Sequence, residues 1–145
     1  MGIDHGTVRL GIALSDELQL LAHPAETIAM TKPTDALARI AALAQEKNVE
    51  RIIVGLPRHL DGRLSESASK AQEFAEKLRR VVSCEVQTWD ERLSTVAAQR
   101  SLREAGKSIR QSRSYVDQVA AQIFLQSYLD RLQFLRGEDA PESFA

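Results

Sequence analysis

The order of its apolar patterns most constrains how this 145-residue chain can fold. Arg9 to Ser15 mixes β-forming and small residues and closes at Asp16-Glu17; Leu20 to Ile28 follows after a turn too short for a helix. Adjacent runs of this kind predict a hairpin, and His23-Pro24 inside the second run predicts an edge strand or a bend. The pattern then alternates. Thr34 is placed to cap a helix from Asp35 to about Lys47, with Leu37, Ile40, Ala41 and Ala44 on one face. Arg51 to Gly55 is a short continuous apolar run, the pattern of a strand covered on both sides. A helix over Glu66 to Arg80 turns Ala68, Ala71, Ala75 and Leu78 inward, and Glu85 to Trp89 is a further strand. Ser94 is placed to cap a helix ending at Gly106, and Ser114 opens the longest helix, with Val116, Val119, Ala120 and Ile123 on one stripe. A hairpin contributes antiparallel pairing and strand-helix-strand units contribute parallel pairing. The expected fold class is therefore α/β, a mixed central sheet flanked by helices.

Composition narrows the function classes. With 43% hydrophobic residues the chain can bury one core, expected over residues 1–136, followed by an acidic tail over 137–145. No apolar run approaches the roughly 18 residues of a membrane span, and the polar start has no signal-peptide core, so a cytoplasmic address is expected. The single cysteine, Cys84, forms no internal disulfide, and His5, His23 and His59 have no metal-ligand spacing. The formal net charge of −1 hides a polarised distribution. From Arg92 to Arg136 the balance is +5, carried by Arg92, Arg100, Arg103, Lys107, Arg110, Arg113, Arg131 and Arg136, whereas the first 91 residues carry −3. Such a stretch is either a solvated helical surface or a phosphate-binding one.

Three acids stand at positions where the backbone would present them at the end of the sheet. Asp4 lies in Gly2-Ile3-Asp4-His5-Gly6-Thr7, Glu91 follows the strand ending at Trp89, and Asp117 opens the last helix. Each also has an ordinary explanation: Asp4 as a turn aspartate, Asp90-Glu91-Arg92 as a solvated cluster, and Ser114-x-x-Asp117 as a capping box. If the three converge, their mutual repulsion calls for a hard cation, Mg²⁺ or Mn²⁺, and a two-metal carboxylate site is suited to phosphodiester hydrolysis.

Four ordered segments carry a resemblance. Gly2 to Thr7 with Arg9 to Asp16, Ile53 to Pro57 with Asp61-Gly62, Trp89 to Thr95, and Val116 to Ala121 together resemble the YqgF/RuvX family, named for pre-16S rRNA processing and Holliday junction resolution. The likeness spans the chain to about Asp130. It implies a ribonuclease H-like fold related to the RuvC resolvases and divalent-metal cleavage of nucleic acid. By position, the catalytic and metal-binding acids it implies are Asp4, Glu91 and Asp117. One departure is that only three residues precede Asp4, so the first strand is expected to be short, with few ladder bonds to hold that carboxylate.

The expected nucleic-acid contacts are Arg92, Ser94, Thr95, Arg100, Arg103, Lys107, Arg110 and Arg113; Arg100, Arg103 and Lys107 share a helix face. RNA in the 5′ maturation of pre-16S rRNA is the favoured substrate and branched DNA the alternative, acted on by a monomer or a homodimer. Two rivals remain at this stage: an actin-like or sugar-kinase ATPase, for which the chain is too short, and a non-catalytic nucleic-acid-binding module.

Overall fold

Alternation of side chains along the strands decides which residues face which layer. In the computed structural model, which describes residues 1–57, 65–91 and 113–139, five strands form one sheet: β1 Gly2–His5, β2 Arg9–Ser15, β3 Ala22–Ala29, β4 Arg51–Leu56 and β5 Glu85–Asp90. The strand order is β3-β2-β1-β4-β5. β2 is antiparallel to both β1 and β3, while β1, β4 and β5 run parallel. The expected hairpin is β2 and β3; β3 is an edge strand, and its register shifts opposite Ile12/Ala13 next to Pro24. The proline lies on an edge strand, the first of its two expected settings.

Ile3, Leu10, Ile12, Ile52, Val54, Leu56 and Val86 point to one face and are buried beneath α1, Pro33–Glu46, and α2, Glu66–Arg79. α1 begins two residues earlier than its sequence pattern suggests. Its N-cap is Lys32, which makes no side-chain capping bond, and Pro33 occupies the first turn, where its missing N–H costs nothing. Its fully buried stripe is Ala36, Ile40, Leu43 and Ala44, so Leu37 and Ala41 are only half-buried. α2 follows its expected inward face and adds Phe74. Ser65 caps it, accepting from the Ala68 N–H at 3.0 Å while donating to the Pro57 carbonyl at 3.0 Å.

The other face carries α3, Arg113–Asp139, a 27-residue helix that runs through Gly137 into the stretch expected to be a tail. Its buried stripe is Ala121, Phe124, Leu125, Tyr128 and Leu129, not the expected one; Val116 is 48% exposed and Val119, Ala120 and Ile123 are half-buried. Apolar residues lie around much of this helix, so periodicity alone did not select a face. The sheet did. Gln118 donates to Thr27 Oγ1 at 3.0 Å, Gln122 to the Ala22 carbonyl at 2.9 Å, and Gln126 accepts from the Ala22 N–H at 2.9 Å. Spaced at i, i+4 and i+8, these glutamines fix the helix lengthwise along β3.

The short first strand proves well held because it is central. Gly2 to His5 pair with Ala13 to Leu10 on one side, and Gly2 and Ile3 pair with Ile53 and Val54 on the other. The Met1 amino group adds a bond to the Arg51 carbonyl at 3.0 Å. No helix among the described residues is long and apolar enough to cross a membrane.

Candidate active site

The parallel strands β1, β4 and β5 end on the same side of the sheet, and that edge gathers the acids. Asp4 is the third residue of β1, on the α3 face, directly opposite Gly11 of β2. A Cβ on Gly11 would run into the Asp117 backbone carbonyl, so the bare glycine is what lets α3 settle against the strand there. The glycine thereby sets Asp117 beside Asp4. β5 ends at Asp90, and Glu91 follows; its Oε1 lies over Gly55 of β4, where a Cβ would come within 2.7 Å. A glycine at position 55 leaves the space through which Glu91 reaches back toward β1.

The electrostatics record this convergence. Burial first, then the charge of Asp117, pushes the Asp4 carboxyl up from 3.8 to about 6. Burial, then Asp4, then Asp90, pushes Glu91 up from 4.5 to about 7. Asp4 is thus common to two carboxylate couplings, with Asp117 and with Glu91. Asp117 has an internal counter-ion as well: Arg9 Nε donates to its Oδ2 at 2.7 Å. That contact replaces the expected capping box. Within the described helix Asp117 lies beyond the first turn, which holds no acidic residue, and its carboxylate is turned to the sheet.

The donor set fits a hard divalent cation in chemistry, because three neighbouring carboxylates, two of them desolvated, with one built-in cation leave negative charge to be neutralised. Among the described residues no three His, Cys, Asp or Glu side chains surround one point closely enough to hold a single ion. The charge couplings run in pairs, Asp4 with Asp117 and Glu91 with Asp4.

His5, next along β1, faces away from this site, half-buried against the Phe74 ring at 4.9 Å; burial lowers its pKa. Cys84 is half-buried at the margin of the core. Both pack beside the core away from the acids. Arg92, Ser94, Thr95, Arg100, Arg103, Lys107 and Arg110 lie outside the described residues, as does the helix from Ser94 to Gly106; Arg113 is described only as the first residue of α3. Sequence reasoning missed Arg9, Gly11 and Gly55. The two glycines carried a readable signal, since a glycine inside a strand pattern marks a close approach of something to the backbone. Arg9 carried none, because nothing local links it to a residue 108 positions away.

A sheet of this order, with an antiparallel hairpin continuing into parallel strands and acids at the end of β1 and after β5, defines a ribonuclease H-like fold. T. thermophilus RuvC, solved in complex with a Holliday junction substrate, superimposes with a TM-score of 0.60 at 15% identity, covering 91% of this chain and 94% of that one. A second Thermus thermophilus RuvC structure gives 0.54 at 14% identity. The chain belongs to the RuvX family, described as "Holliday junction resolvase", which matches residues 1–131. Proteins named "Putative pre-16S rRNA nuclease" are similar along most of their length. That of Mycobacterium tuberculosis (strain ATCC 25618 / H37Rv) is 48% identical over 139 residues, covering 94% of this chain and 82% of the relative. That of Halothermothrix orenii is 42% identical over 137 residues, covering 94% and 98%.

Proposed function

We propose that this protein is a divalent-metal-dependent nuclease that hydrolyses phosphodiester bonds of RNA in the 5′ maturation of pre-16S rRNA, with Asp4, Glu91 and Asp117 as its catalytic carboxylates. The observation that carries the reading is the coupling of three acids brought from β1, the end of β5 and α3 to one edge of the sheet. Asp4, shared between both couplings, would hold Mg²⁺ or Mn²⁺ together with Glu91 and Asp117. Bound divalent ions supply water activation near neutral pH and neutralise charge developing on the phosphodiester. The chain's own residues orient the carboxylates, and their burial, which disfavours the ionised forms of Asp4 and Glu91, leaves them in need of a cation to neutralise them. The basic stretch comprising Arg92, Arg100, Arg103, Lys107, Arg110 and Arg113, with Ser94 and Thr95, supplies backbone phosphate contacts. With aromatic residues only 5% of the chain, backbone and shape recognition outweighs base stacking.

A second reading, cleavage of branched DNA, rests on the fold shared with a RuvC solved on a Holliday junction. The test is a panel in Mn²⁺ of a precursor rRNA 5′ region, single-stranded RNA and a four-way DNA junction, with wild type and Asp4→Asn. The expected result is cleavage of the precursor rRNA by wild type, reduced in the variant to the level of an EDTA control. Cleavage of the junction alone would establish the second reading. Wild-type rates in folded Asp4→Asn would remove the assignment of the site.

A further inference from the structure

Among the three carboxylates, Asp117 alone is tied to a cation of the protein within the described site, and the way it is tied is specific. Arg9 opens β2, two residues before Gly11 and therefore on the same face of the strand. Gly11 seats the Asp117 backbone and is the cross-strand partner of Asp4. Arg9 Nε meets Asp117 Oδ2 at 2.7 Å, leaving the other carboxylate oxygen outside this hydrogen bond. The side chains of Arg9 and Asp117 are 33% and 25% exposed. An ion pair this accessible to solvent contributes little to stability. By Coulomb's law alone, a guanidinium here repels the divalent ion that the site is built to attract. Its presence therefore calls for a directional explanation.

We infer that Arg9 is the positioning residue of Asp117: it holds one carboxylate oxygen so that the other is presented toward Asp4 and the metal. This rests on the metal-dependent reading above and adds to it a residue that touches neither metal nor substrate. Partners that orient ligating carboxylates in this way are worth about 10- to 100-fold in metal affinity.

The test is Mn²⁺ binding by isothermal titration calorimetry in the absence of nucleic acid, on wild type, Arg9→Gln, Arg9→Lys, Asp117→Asn and the Arg9→Gln/Asp117→Asn double variant. Folding of each is verified by circular dichroism. The expected result for Arg9→Gln is binding about 10- to 100-fold weaker, the opposite of what removing a positive charge does by itself. Arg9→Lys, which keeps the charge without the guanidinium geometry, recovers only part of the loss and supplies the same test should Arg9→Gln fail to fold. In the Asp117→Asn background Arg9→Gln adds no further loss, whereas a merely structural arginine would act additively. Unchanged or tighter Mn²⁺ binding by Arg9→Gln, or loss of RNA affinity in EDTA with Mn²⁺ binding intact, overturns the inference and leaves the metal site standing. Absence of Mn²⁺ binding by wild type at millimolar concentration overturns both.

Discussion

Replacing Asp4 by asparagine should make the metal-free protein more stable at neutral pH while abolishing its chemistry. The folded state raises the Asp4 carboxyl from 3.8 to about 6, so folding favours its protonated form. The stability this group contributes is fully present below pH 3.8 and is lost as pH rises through about 6. At 1.36 kcal/mol for each tenfold change in proton affinity, the difference amounts to about 3 kcal/mol, a ceiling because part of the side chain remains hydrated. Asparagine keeps the shape and cannot ionise. In EDTA, urea denaturation should therefore find the two proteins alike near pH 4 and the variant more stable by up to about 3 kcal/mol at pH 8, or roughly 10 °C in Tm. Mn²⁺ should then raise the wild-type Tm at pH 8 and leave the variant nearly unmoved. An asparagine variant no more stable than wild type at pH 8, or an equal pH dependence in both, would refute the argument that Asp4 is held as a desolvated, unneutralised carboxylate.

Other outcomes follow from the same geometry. Gly11→Ala sets a methyl against the Asp117 carbonyl, so it should destabilise by about 3 kcal/mol in denaturant titration and weaken Mn²⁺ binding as α3 is pushed off β2. Ser65→Ala, remote from the acids, removes the α2 cap and should cost about 1 kcal/mol while cleavage per folded molecule is unchanged. Cleavage in Mn²⁺ should climb with pH between about 6 and about 7 as Asp4 and Glu91 give up their protons, and the climb should move to lower pH at higher Mn²⁺ because cation and proton compete. A profile that does not respond to Mn²⁺ concentration would separate the acids from metal binding.

Most of the sheet could be read along the chain because its signals are local. The mix of β-forming and small residues in β2, the continuous apolar run of β4, the proline that marks β3 as an edge and the inward face of α2 each depend on a few neighbouring residues. The same holds for the three acids, which sit at strand ends and near the opening of a helix, and whose ordered motifs singled them out before their couplings were known. Reading failed where the deciding partner was distant, as with Arg9 and Asp117, and at one local choice. The start of α1 moved because Pro33 fits a first turn without any cap from Thr34, a choice that local capping preference did not anticipate.

By itself the sequence determined the mixed α/β architecture and singled out the three acids as candidates, since periodicity and short motifs carry that information within single elements. Only the tertiary structure decided which face of α3 is buried, because that helix is apolar on several sides and the choice belongs to Gly2, Gly11 and Gly55, whose missing side chains open the sheet to it. It also decided that Asp117 answers to Arg9 rather than to its own helix end, and that a four-residue strand holds Asp4 firmly, because that strand lies between two neighbours rather than at an edge.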